Sequence, residues 1–79
     1  MIFLEPAAVA LRRHRNAAAR MLGKIAAYAE NPATAANRVT QLRGRNAKRM
    51  RVGDFRILFE ETATQIIVSD IGPRSSVYK

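Results

Sequence analysis

Arg49, Arg51 and Arg56 flank a Gly53-Asp54 pair in residues 48–60, which read KRMRVGDFRILFE. Gly-Asp between alternating apolar residues fits a two-residue hairpin turn. With that turn Val52 faces Phe55, Arg51 faces Arg56, Met50 faces Ile57 and Arg49 faces Leu58. Cross-strand partners share a face. One side of the hairpin is then Met50, Val52, Phe55, Ile57 and Phe59, and the other carries Arg49, Arg51, Arg56 and Leu58. Directly opposed like charges are destabilising, so an anion held between Arg51 and Arg56 would account for their placement. Guanidinium forks match the oxygens of phosphate or carboxylate. Arg43, Arg45 and Lys48 complete the densest basic segment of the chain, against the single Asp54. A charge run alone is usually a solvated face; the opposed pair is what sets this one apart.

Other chemistry has little to stand on. Glu5, Glu30, Asp54, Glu60, Glu61 and Asp70 show neither paired nor metal-ligand spacing, and Glu60-Glu61 reads as a turn ending its strand. Ser69, Ser75 and Ser76 have only His14 as a possible base, which makes nucleophilic serine chemistry a poor fit. Without cysteine, one histidine cannot build a zinc site. The four glycines form neither a dinucleotide fingerprint nor a P-loop, so no metal and no cofactor is implied. Tyr28 on an Ala-rich segment reads as packing, whereas Tyr78, close to Arg74, is the better candidate for stacking on a base.

These side chains need a scaffold to position them. Residues 1–4 form a short apolar run that reads as a strand, ended by Glu5-Pro6 because proline suits the first turn of a helix. Residues 6–31 are mostly strong helix formers. Leu11 and His14 lie one turn apart, while Ala18, Met21, Leu22, Ile25, Ala26 and Ala29 follow one helical stripe. The polar patch 12–16 separates the two, and Asn16 is a competent N-cap, so two helices in a hairpin are expected. Asn31-Pro32 stops the second. Residues 32–41 read as a loop pinned by Val39 and Leu42. Ile66, Ile67 and Val68 in succession mark residues 65–71 as a central strand covered on both faces. Gly72-Pro73 ends it, leaving 74–79 as a tail or edge strand. The expectation is one α+β domain over residues 1–79, a helix hairpin packed on a small antiparallel sheet.

The chain is 79 residues long, 48% hydrophobic and 25% charged, a globular composition. A domain of this size buries about 60% of its unfolded surface, and its core supplies only ~3–5 kcal/mol. A partner chain is one way to add to that. The net charge of +8, mostly from arginine, calls for an anionic partner: nucleic acid, an acidic protein or a membrane surface. No stretch is apolar enough for a membrane span, and MIFLEPAAVALRR places its charges after its apolar part, the reverse of a secretory signal. A cytoplasmic location without membrane association is expected.

The order LRG, then RMRVGDFRILFE, then IGPRSSVYK resembles the RelE/ParE family of toxins from bacterial type II toxin–antitoxin pairs. The likeness spans nearly the whole chain and is most specific from Leu42 to Tyr78. It is nearer the RelE branch, whose members cut messenger RNA on the ribosome, than the ParE branch, which poisons DNA gyrase. The resemblance implies that Arg56 holds the scissile phosphate, that Arg74 is the catalytic arginine after the last strand, and that Tyr78 lies near the reacting nucleotide. It gives Arg49 a place near the attacking hydroxyl, with Arg43, Arg45, Lys48 and Arg51 as RNA-binding neighbours. Ala47 and Pro73 depart from the family pattern. An acidic cognate antitoxin in a hetero-oligomer, the ribosome and messenger RNA are the implied partners. The alternatives within the fold are a gyrase inhibitor and a nontoxic member acting with its antitoxin.

Overall fold

The computed structural model describes residues 1–35, 38–42 and 47–73. Its elements are β1 (Ile2–Phe3), α1 (Glu5–Arg13), α2 (Arg15–Glu30), a 3-10 turn (Pro32–Ala35), β2 (Val39–Gln41), β3 (Ala47–Val52), β4 (Phe55–Glu61) and β5 (Ile66–Pro73). The five strands form one sheet in the order β1-β5-β4-β3-β2. β2 to β5 run antiparallel in sequence, and β1 joins the far edge parallel to β5, so the sheet is mixed where a wholly antiparallel one was expected. The chain fold is α+β.

Proline sits in the first turn of α1, where its missing N–H costs nothing. Glu5 in that turn and Arg12 and Arg13 in the last complement the helix dipole. The helix breaks at His14, whose φ of −110° and ψ of 56° leave the helical region. His14 N–H closes α1 on the Ala10 carbonyl, and the His14 carbonyl accepts the Ala17 N–H that opens α2. The break therefore falls two residues before the expected cap, and Asn16 lies inside α2. No side chain caps this helix start. A tertiary contact fixes the corner instead, the His14 ring meeting Phe55 of β4 edge-on at 4.8 Å.

The buried stripe of α2 is Ala17, Met21, Ile25 and Tyr28. Leu22 was expected inside but is 39% exposed, and Ala26 and Ala29 also face out. Alanine gives a weak periodic signal, so the larger Tyr28 decides the stripe, and its hydroxyl finds polar partners at the rim. Asn31 ends α2 as expected. The segment read as a loop contains β2, whose Val39, Thr40 and Gln41 pair with Met50, Arg49 and Lys48. Three residues are too few for a strand period to show in the sequence.

The β3–β4 hairpin has the expected register throughout, including Arg51 opposite Arg56. Gly53 takes the turn with φ of 58°, a conformation that costs glycine nothing. Met50, Val52, Ile57 and Phe59 enter the core beneath Met21 and Ile25. β5 carries a bulge: Leu58 pairs with Asp70 and Phe59 with Val68, so Ser69 is the extra residue. The shift lets Ile66, Val68 and Ile71 all face the helices while Asp70 faces away. Ile67, expected under a second layer, is only half-buried, because both helices lie on one side of the sheet.

Ile57 on the middle strand is fully buried. Ile57→Ala should cost ~2–5 kcal/mol, comparable with the ~3–5 kcal/mol that a core of this size supplies, and leave the variant largely unfolded at room temperature. Leu22→Ala, on the outer side of α2, should stay within ~0.5 kcal/mol of the parent. Thermal melts followed by circular dichroism check both; equal losses would contradict this assignment of helix faces.

Candidate functional site

Strand alternation divides the polar side chains of the hairpin between two faces. Arg49 and Arg51 of β3 and Arg56 of β4 lie on the side away from the helices, which no described element covers. Arg51 is exposed, and Arg49 and Arg56 are half-buried. Arg56 is flanked across the sheet by Arg51 on one side and Gly72 on the other, so the residue next to it on β5 adds no side chain. Its Nη1 donates to the Phe55 carbonyl at 3.3 Å, folding the guanidinium back along its own strand. Directly paired residues have Cβ atoms roughly 4.5–5.5 Å apart, so Arg51 and Arg56 repel across the ladder. An anion on this face would be drawn by two forks at once. Asp70 faces the same way opposite Leu58, and its carboxylate accepts the Ile71 N–H at 2.8 Å.

Lys48 does not join this cluster. Its register puts it on the helix side, where Nζ donates to Glu61 at 2.9 Å and to the Tyr28 hydroxyl at 3.2 Å. Tyr28 in turn donates to Glu61 at 2.8 Å. Glu61, read from sequence as a turn residue, is instead the last residue of β4 and the acceptor of this clamp. The three groups tie α2 to β3 and β4. The bond to Glu61, then the one to Tyr28, raises the Lys48 pKa above its ordinary value. The hydrogen bond from Lys48, then the one from Tyr28, lowers that of Glu61. Burial, reinforced by Glu61, raises the Tyr28 hydroxyl. Tyr28 is the packing residue that its Ala-rich surroundings implied, with a hydroxyl that is also used.

Of the residues singled out by sequence, the structure brings Arg49, Arg51 and Arg56 onto one face and sets Lys48 on the other. Arg43, Arg45, Arg74 and Tyr78 lie outside the described residues. Three cations that the sequence reading passed over gather beside Arg51, namely Arg20 and Lys24 of α2 and Arg38 before β2. The four-residue spacing of Arg20 and Lys24 was a usable signal, since it puts both on one side of a helix. Their proximity to the hairpin was not. Among the described residues no three His, Asp or Glu side chains cluster as metal ligands, and no helix is long and apolar enough to cross a membrane.

This fold is similar to that of a chain in the crystal structure of the RelB–RelE antitoxin–toxin complex from Methanococcus jannaschii. The two chains superpose with a TM-score of 0.67 over 99% of this chain and 95% of that one, at 23% identity. No curated protein sequence matches the chain. Residues 2–78 match the family model of the ParE toxin of the type II toxin–antitoxin system parDE, and the chain belongs to this family. The RelE/ParE likeness of the LRG, hairpin and IGPR motifs thus holds across nearly the whole chain.

The Lys48–Glu61–Tyr28 clamp has a pH signature. A depressed Glu61 pKa stabilises the fold above its ordinary value of 4.5, and that contribution is lost as pH falls through the folded value. The raised Lys48 and Tyr28 values act oppositely, contributing below 10.5 and 10.0 and fading as pH rises past them. Glu61→Gln should therefore melt lower than the parent at pH 7, by less than ~1 kcal/mol for so exposed a pair, and the gap should narrow as the pH falls below 4.5 and Glu61 protonates. A gap independent of pH would assign the effect to shape and not to charge.

Proposed function

We propose that this toxin is a ribosome-dependent messenger-RNA endonuclease that blocks translation and is held inactive by an acidic antitoxin. The observation that carries this reading is the Arg51–Arg56 pair, opposed across the ladder on an uncovered sheet face with Arg49 beside it. Like charges placed this way are offset by a bound phosphate, and a scissile phosphodiester gathers further negative charge on its oxygens as it reacts. The RelE/ParE likeness supplies the other parts: Arg56 on the scissile phosphate, Arg74 as the catalytic arginine, and Tyr78 against the base.

The chemistry suited to these groups is attack by the 2′-hydroxyl on the adjacent phosphorus. The new bond joins the 2′-oxygen to phosphorus, and the bond to the 5′-oxygen of the next nucleotide breaks. A 2′,3′-cyclic phosphate and a 5′-hydroxyl end result. Guanidiniums stabilise the pentacovalent oxygens but remain protonated, so Arg49 and Arg56 orient and neutralise without acting as bases. With no efficient base in the set, alignment of the 2′-hydroxyl must supply much of the rate, which is the reason for a ribosomal requirement. Such an enzyme works in the cytoplasm. The antitoxin partner rests on the family and on the RelB–RelE complex, and the basic surface suits an acidic one.

The match to the ParE family model favours a second reading, in which the toxin binds DNA gyrase and does no chemistry itself. Added to a translation extract, the protein should truncate messages and leave gyrase supercoiling unchanged; the opposite pattern would establish the gyrase reading. Arg56→Ala and Arg74→Ala should each lower cleavage ~10²–10³-fold, as expected when a group stabilising transition-state charge is removed. Tyr78→Phe should be milder than Tyr78→Ala. Cleavage of free RNA by the pure protein should be very slow.

A further inference from the structure

The end of the hairpin holds a second concentration of charge, on the edge of the sheet and not on its open face. Arg20, Lys24, Arg38, Arg51, Val52 and Gly53 line a pocket of about 300 Å³. Arg20 reaches over the turn: a Cβ on Gly53 would meet its Nη2 at 3.0 Å. Gly53 thus serves both the positive φ of the turn and the space for this guanidinium. Arg38 is tied to the same edge by its carbonyl, which accepts the Arg51 N–H at 2.9 Å. Four cations meet here, and no described carboxylate lies within ion-pair distance of any of them. Even Asp54, in the turn itself, pairs with none.

Two separate like-charge placements converge on this spot. Arg20 and Lys24 repel one turn apart on α2, and Arg51 repels Arg56 across the strands. The cations at the Gly53 edge, Arg20, Lys24, Arg38 and Arg51, are the ones an anion in this pocket would offset. The lining also indicates which kind of anion. Protein partners anchor on exposed aromatic or aliphatic side chains at the centre of a contact. Val52 is the pocket's sole large apolar residue and is 4% exposed, while Leu22 lies on the other side of α2 from Arg20 and Lys24. Cations spaced along an edge with no apolar anchor fit a polymer whose charge repeats, with contacts that position it and read no sequence.

We propose that the Arg20–Lys24–Arg38–Arg51 pocket is a phosphodiester-binding site for single-stranded nucleic acid. The strand passes from the open sheet face around the Gly53 turn onto α2, with Arg51 shared between the two faces. The site rests on the nucleic-acid reading of this toxin, and its test reads binding alone.

The test is a fluorescence-anisotropy titration of a labelled oligouridylate with the full chain at several salt concentrations. Each phosphate contact on a single strand contributes ~0.7 to the slope of log affinity against log salt. The double variant Arg20→Ala/Arg38→Ala should lose about 1.4 from that slope and bind on the order of ten-fold more weakly at low salt. Arg12→Ala, on the exposed outer side of α1, should change neither. Arg20 and Arg38 are exposed; should the double variant nevertheless melt lower, Lys24→Gln reads the same slope through a single change, with an expected loss of about 0.7. An unchanged slope and affinity in these variants overturns the site. So does polyglutamate binding that depends on Arg20 and Arg38 while oligouridylate binding does not, which would assign the pocket to an acidic protein segment. Intact messages in the translation extract with this binding retained would instead count against the endonuclease reading alone.

Discussion

The two-residue turn at Gly53-Asp54 decides which side of the sheet every residue of β3 and β4 faces. With a side-chain period of two, a slip of one residue would send Met50, Val52, Ile57 and Phe59 to solvent and the arginines into the core. Gly53 accepts the positive φ that closes the turn in register. The same register that buries the core presents Arg49, Arg51 and Arg56 together on the opposite face. Folding and the charge pattern are thus two consequences of one turn.

A sheet with helices on only one side has a face free for function, but it also has a thin core. Phe59, Met21, Ile25, Met50, Ile57 and Val68 are its largest fully buried side chains. Polar ties at the rim add to this modest burial. Lys48, Glu61 and Tyr28 hold the lower end of α2 to the middle strands, and His14 packs on Phe55 at the other. Lys48 is spent on this clamp, so the basic character of the hairpin segment divides between holding the fold and meeting a partner. Arg20, Lys24, Arg38 and Arg51 at the Gly53 edge have no described carboxylate within ion-pair distance. Their mutual repulsion favours a complex with an anion over the free chain.

The chain belongs to the ParE toxin family and has a RelE-like fold. Fold membership leaves the target to the site, because one scaffold can present different surfaces to different partners. In this chain the densest charge is on strands and at a strand turn, and the proposed RNA chemistry follows from that location.

Local chemistry made much of the structure legible. Proline at the start of α1, Asn31-Pro32 at the end of α2 and Gly-Asp in the hairpin act within a few residues, so the sequence alone determined those boundaries, the pairing of Arg51 with Arg56 and the split between apolar and basic hairpin faces. Other features depend on contacts between segments remote in sequence. The helix break moved to His14 because Phe55 is there to receive its ring, and the α2 stripe turned toward Tyr28 because Glu61 and Lys48 await its hydroxyl. The Ser69 bulge, the three-residue β2 and the parallel β1 leave too little periodicity to read along the chain. Tertiary structure alone brought Arg20, Lys24 and Arg38 to Arg51, since folding, and not spacing, sets the distance between a helix and the edge of a sheet.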